Sequence, residues 1–277
     1  MRRLLLLCCL CWPLSLHAGE RLQVMASFSI LADMAREVAG PDADVTGLVA
    51  PGGDAHVYEP SPQDAARVAA AGLLIINGLG FDGFMDRFSG PARVVRASEG
   101  IRAIPGDPHG WQDPANAVIY VRNIAKGLCA ADPAHCAAYQ ARAGIYAEKL
   151  TRADGEIRAA FAAIPPERRS LLTSHDSLGY FCRAYGIRCL SVSGADEHDE
   201  PSAADVAAII RQVREAGIRA IFLENVSDPR LLEAIAAETG IAPAGGIATD
   251  ALSEEGEAST YLGLIRANAR AIAAAMR

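Results

Sequence analysis

Beyond its first twenty residues the sequence contains no apolar run approaching the roughly 20 residues that a membrane-spanning helix requires, so the body of the chain reads as soluble. Positive charge is also in short supply. In 277 residues, 26 basic side chains stand against 33 acidic ones, and a net charge of −7 gives nucleic-acid coating no compositional support. Cations are the partners that such a balance suits. The signatures of several enzyme classes are missing too. Ser174 and Ser177 flank His175 without a GxSxG elbow, no HExxH supports a zincin-like protease, and the glycine-rich LVAPGGDAH lacks both the Lys-Ser/Thr ending of a P-loop and a GxGxxG pattern. With 51% apolar and 21% charged residues, disorder is excluded as the main state.

The amino terminus has its own pattern. Arg2 and Arg3 precede the greasy run LLLLCCLCWPLSL, which ends at Leu16-His17-Ala18, so residues 1–18 read as a secretory signal peptide cleaved near Ala18. Cys8, Cys9 and Cys11 lack the preceding small residues of a lipidation site. Without Arg2 and Arg3 the mature chain has 24 basic groups against 33 acidic ones, a net charge of −9. Export leaves Cys129, Cys136, Cys182 and Cys189, two pairs each with six residues between, and no CxxC metal motif. An oxidising compartment favours two local disulfides, 129–136 and 182–189, over crossed pairing or free thiols.

Strands and helices alternate along the mature chain. Strands are expected over 22–27, in ADVTGLV, over 73–78 and over 92–98, with helices in SILADMAREVAG, from Pro62 to Ala71 and near 82–88. An alanine-rich stretch from Pro133 to about Ile164, closed by Pro165-Pro166, reads as one helix of about 30 residues, or roughly 45 Å. Strands then resume over 169–174, 187–194, 218–225 and 241–248. The fold class is α/β, with two lobes, each built on a four-stranded mainly parallel sheet, joined by one long helix. The divisions are 19–132 for the first lobe, 133–166 for the linking helix and 167–277 for the second lobe.

The residues able to carry chemistry sit beyond the carboxyl ends of these strands, where open α/β sheets place their ligands. His56 lies in APGGDAHVYEP, His109 in GDPHGWQDP, His175 in LLTSHDSLGY and Asp250 in GIATDALSEEG. Three histidines and one carboxylate, two residues from each lobe, are the number and type of donors that fill a tetrahedral Zn²⁺ shell. The separations of 53, 66 and 75 residues are far from zinc-finger spacing, so tertiary folding would have to assemble the site.

The segments GGDAHVYEPSPQD, DPHGWQDP, TSHDSLGYF, EPSAADVAAIIRQVREAGIRAIFLENVSDPRLLEAIAAETG and TDALSEEGEASTYL resemble those of the periplasmic receptors of zinc and manganese ABC transporters. The likeness covers nearly the whole mature chain. It implies two α/β lobes joined by a rigid helix, with one divalent cation in the cleft. It also implies metal ligation by His56, His109, His175 and Asp250, no bond chemistry, and delivery to a membrane permease. Manganese receptors of this family look like two histidines with Glu and Asp, whereas His175 is histidine here, and imidazole suits Zn²⁺ better than Mn²⁺. Many zinc receptors of the family carry a His- and Asp-rich loop before the second ligand, and Glu99–Gly106 contains no histidine.

Among supporting residues, Glu59, Asp113 and Glu224 are candidates to hold the ligand imidazoles, though each fits equally well as a helix cap or a surface charge. Trp111 and Tyr58 read as walls of the cleft. His198, in the acidic turn GADEHDEPS, is a candidate for metal capture outside the resting shell. The expected partners are a permease and a periplasmic metallochaperone, with the receptor itself a monomer that binds no nucleic acid. The alternatives are a manganese receptor, a surface adhesin, or a zinc hydrolase in which Asp250 is a general base and only the histidines bind metal.

Overall fold

The computed structural model describes residues 21–88, 93–194 and 202–277. The segment read as a signal peptide and the turn containing His198 lie outside the described residues.

Among the described residues eight strands form two four-stranded sheets, and every pairing between these strands is parallel. The first comprises β1 (Leu22–Ala26), β2 (Ala43–Gly47), β3 (Leu73–Ile76) and β4 (Val94–Arg96), in the order β2-β1-β3-β4. The second comprises β5 (Ser170–Thr173), β6 (Arg188–Ser191), β7 (Ala220–Glu224) and β8 (Pro243–Ile247), in the order β6-β5-β7-β8. The second sheet repeats the topology of the first with each strand number raised by four. Uninterrupted apolar runs such as Leu73–Ile76 suit strands covered on both faces by helices.

Helices α1 (Ser29–Ala39) and α2 (Pro62–Ala70) belong to the first half, with α2 opened by a capping box between Ser61 and Asp64. Between β4 and the long helix the structure has an element to which sequence reading assigned nothing: α3 (Pro114–Ala131). Its signals are orthodox. Asp113 caps it by accepting from Ala115 N, Pro114 occupies its first turn, and Ala117, Tyr120, Val121, Ile124, Ala125 and Leu128 form its buried stripe. Gly127 lets α3 press against β4, because a Cβ there would overlap the Val95 side chain.

The long helix α4 (Cys136–Ala162) has 27 residues and is preceded by a single 3₁₀ turn at Pro133–His135. It packs along α3 and touches both halves of the molecule. Near its start, Arg142 donates to the carbonyls of Val38 and Ala39 and pairs with Asp42 at 2.7 Å. Near its end, Arg158 donates to Ala184 O at 2.8 Å and Phe161 stacks on Tyr185. Tyr185 lies in α5 (Gly179–Tyr185), and the remaining helices are α6 (Ala203–Glu215), α7 (Arg230–Thr239) and α8 (Tyr261–Ala275).

Disulfides join Cys129 to Cys136 across the α3–α4 turn, and Cys182 in α5 to Cys189 in β6. One continuous core, including Phe28, Trp111, Tyr120, Phe181 and Tyr261, runs beneath both sheets. A smaller one, with Leu172, Val213, Ile221 and Ile235, packs α6 and α7 on the other face of the second sheet. Loops that follow β2 and β4 in the first sheet and β5 and β8 in the second bring His56, His109, His175 and Asp250 together.

Candidate metal centre

His56, His109, His175 and Asp250 come from four separate loops, yet each offers one donor atom, and all four donors lie within 4.8 Å of one another. Asp250 Oδ2 stands 3.5 Å from His56 Nε2 and 2.8 Å from His175 Nε2, and Asp250 Oδ1 stands 3.5 Å from His109 Nε2. The Nε2 atoms of His56 and His109 are 3.4 Å apart. For metal–donor bonds of about 2.0–2.1 Å, tetrahedral geometry requires donor–donor edges of about 3.3–3.4 Å. The side chains of His109, His175 and Asp250 are fully buried, and that of His56 is 3% exposed.

Local structure delivers each side chain. The turn after β2 is fixed by Asp54, whose carboxylate accepts from His56 N at 2.7 Å, and by Gly52 N, which donates to Leu252 O. Asp82 holds the loop after β3 by accepting from Ser27 Oγ, Asn77 N and Gly78 N, which sets Phe81 edge-on against His56. Asn77 in turn donates to Pro108 O, anchoring the His109 turn after β4. Asp107 Oδ1 accepts from His109 N at 2.9 Å and lies 2.8 Å from His109 Nδ1, leaving Nε2 to face the centre.

In the second half, His175 follows β5, and Glu224 ends the neighbouring strand β7. The Glu224 carboxylate accepts from Ser174 N and Oγ, His175 N and Ser177 Oγ, and its Oε1 lies 3.1 Å from His175 Nδ1. Asp250 follows β8, and the first half of the molecule grips its loop. Thr249 O accepts from Trp111 Nε1 at 2.9 Å and Gln112 Nε2 at 2.7 Å, while Leu252 N donates to Ser29 Oγ at 3.0 Å.

The electrostatics suit a cation. Burial acts to raise the Asp250 carboxyl, but the imidazoles of His109, His175 and His56 outweigh it and hold the group far below the usual carboxylate range. Burial lowers the His56 imidazole, whereas Asp250 and Asp54 raise it, and the net direction is upward. An ionised carboxylate among three imidazoles can exchange bound protons for a divalent metal.

The other candidates divide. Glu224 stands beside the His175 imidazole. Glu59 is exposed and pairs with none of the four, and Asp113 serves as the cap of α3, its oxygen taken by Ala115 N at 2.9 Å. Of the roles open to these two acids, a helix cap fits Asp113 and a surface charge fits Glu59. Trp111 is fully buried with its ring 5.3 Å from that of His109, while Tyr58 packs on Phe84 and donates to Asp64. Asp107 was missed by sequence reading, although its position two residues before His109 was the available signal. Gln112, which reaches a backbone carbonyl 137 residues away, left no signal in the sequence.

Comparisons with known proteins agree with this picture. A family described as ZnuA, zinc-uptake complex component A, periplasmic, matches residues 24–275. The iron-binding protein YfeA of Yersinia pestis is 31% identical over 92% of this chain and 86% of that protein. The manganese ABC transporter substrate-binding lipoprotein PsaA of Streptococcus anginosus is 30% identical over 92% and 89%. Among solved structures, the periplasmic zinc-binding protein TroA of Treponema pallidum superposes with a TM-score of 0.87 at 27% identity, covering 93% of this chain and 99% of that one. A manganese-bound periplasmic metal-binding protein of Candidatus Liberibacter asiaticus gives 0.85 at 29% identity, with 93% and 100% covered.

Proposed function

The chain belongs to the ZnuA family of periplasmic metal-binding receptors of ABC transporters, and from that membership we propose that it captures one Zn²⁺ through His56, His109, His175 and Asp250. The observation that supports this most is the convergence of three imidazole nitrogens and one carboxylate within 4.8 Å in a buried site. Zinc is matched by the nitrogen-rich donor set, and the separations of 3.4 Å between His56 and His109 and of 3.5 Å from each of them to Asp250 are near a tetrahedral edge. Asp107 and Glu224 orient two of the imidazoles by accepting from Nδ1, which leaves each Nε2 for the ion.

The role is capture and delivery. Four protein donors complete a tetrahedral shell, whereas catalytic zinc keeps a position for water, so Asp250 is assigned as a ligand and not as a general base. The ion passes to the permease of an ABC transporter. Residues 1–18 direct export to the periplasm, where the mature protein works as a monomer that a metallochaperone can load. Residues 19–132 and 167–277 act as the lobes and 133–166 as the link between them.

Manganese is the second reading, supported by relatives such as PsaA that carry that metal in their names. Competitive titration of the metal-free mature protein with Zn²⁺ and Mn²⁺ decides between them. Tight 1:1 binding with zinc strongly preferred is expected, and equal or greater affinity for manganese would overturn the zinc assignment.

A further inference from the structure

The carboxylate of Asp107 has two unlike oxygens. Oδ1 is committed to His109, through the backbone N–H at 2.9 Å and the ring Nδ1 at 2.8 Å. Oδ2 is buried and accepts no hydrogen bond among the described residues. It lies instead against Gly179, the first residue of α5, across the interface between the two sheets. A Cβ built on Gly179 would overlap Oδ2 and would stand 3.5 Å from Asp107 Cγ.

Gly179 has no other apparent need to be glycine. It opens a helix, it is not among the residues with a left-handed backbone, and the other close atom near its missing Cβ is Asp176 Oδ1, at 3.7 Å. The segment around it is tied to the Asp107 loop by further bonds. The Tyr180 hydroxyl donates to Asp107 O at 3.3 Å and accepts from Ile104 N at 3.0 Å, and Arg183 donates to Arg102 O at 3.1 Å. Helix α5 begins four residues after His175. One short segment of the second half therefore carries one candidate ligand and braces the carboxylate that orients another.

We propose that Gly179 and Asp107 form an interlobe gauge, in which the side-chain-free surface of Gly179 lets Asp107 hold His109 with Nε2 toward the metal. Both are positioning residues, acting on the ion only through His109. The inference rests on the assignment of His109 as a metal ligand. It implies that any side chain at position 179 displaces the Asp107 carboxylate, loosens the His109 ring and weakens zinc binding from the far side of the interface.

A double-mutant cycle on the mature protein, read by competitive zinc titration and by ¹⁵N NMR of the metal-free imidazoles, tests the idea. Gly179→Ala and Asp107→Ala should each weaken zinc binding roughly 10–100-fold, the range for loss of a group that orients a ligand histidine. The double variant should bind no more weakly than Asp107→Ala alone, because the carboxylate that the new methyl group displaces is gone. In Gly179→Ala the His109 Nδ1–H resonance should shift, and in the double variant removal of the overlap keeps the test open if Gly179→Ala folds poorly. Additive losses, or full affinity with an unshifted resonance in Gly179→Ala, would overturn the gauge. His109→Ala run alongside separates the two readings, since its failure to weaken zinc binding counts against the metal site itself.

Discussion

His175 Nε2 lies 2.8 Å from Asp250 Oδ2, joining a residue that follows β5 to one that follows β8 at the centre of the candidate site. The other nitrogen of the same ring faces Glu224 at 3.1 Å, so the imidazole is bracketed by two buried carboxylates. Such an arrangement fixes the orientation of the ring.

Glu224→Gln is therefore expected to weaken zinc binding about 10–100-fold while preserving the fold, because the amide is isosteric but a poorer acceptor for Nδ1–H. Competitive titration against a chelator of known affinity reads the effect. Unchanged affinity would remove Glu224 from the account.

His175→Glu should move metal preference toward manganese by replacing a nitrogen donor with oxygen. Zinc can remain the tighter ligand in absolute terms, since it lies later in the Irving–Williams order. The informative quantity is the ratio of the two affinities, and a ratio equal to that of the unmodified protein contradicts a selective role for His175.

Acidity should oppose binding, and the sign follows from the two shifted groups. Asp250 is held below the usual carboxylate range and stays ionised between about pH 5 and 8, so it contributes little pH dependence there. His56 is raised above its usual value near 6.5, so protons compete with metal up to a pH above about 6.5. Zinc affinity should climb as pH rises through that region. In the metal-free protein the same group contributes stability that is present below about pH 6.5 and lost as pH rises through its folded pKa. Titrations in buffers of different ionisation enthalpy should detect proton release on binding, and a pH-independent affinity would contradict the assignment.

The strands and the four metal-ligand candidates were legible in the sequence for related reasons. Runs such as LLII and AIFLE can be buried on both faces only in a covered sheet, and the few histidines follow them in loops. Helix α3 was not anticipated, although Asp113-Pro114 and its apolar spacing announce it, because the Pro- and Gly-rich DPHGWQDP drew attention to the loop alone. Choosing among Glu59, Asp113 and Glu224 was harder. Whether an acid faces an imidazole depends on strand neighbours and rotamers that spacing does not encode. The clamp of Trp111 and Gln112 on Thr249 O was hidden for another reason, since a backbone carbonyl carries no residue identity.

Replacing Cys129 and Cys136 by serine should cost about 2.5 kcal/mol of stability by the loop-entropy relation for so short a loop. Zinc affinity should be unaffected, because Cys129 lies sixteen residues along from Asp113, about 24 Å of helix away from the site. Denaturant unfolding and zinc titration of the same variant check both halves. A large loss of affinity without unfolding would show that the bond acts on the metal site.

The most direct test is a crystal structure of the zinc-loaded mature protein with anomalous diffraction recorded at the zinc edge. A single peak is expected, bound by Nε2 of His56, His109 and His175 and by one oxygen of Asp250, each at about 2.0–2.1 Å. An ion located elsewhere, or one bound by fewer than three of these residues, would contradict the account.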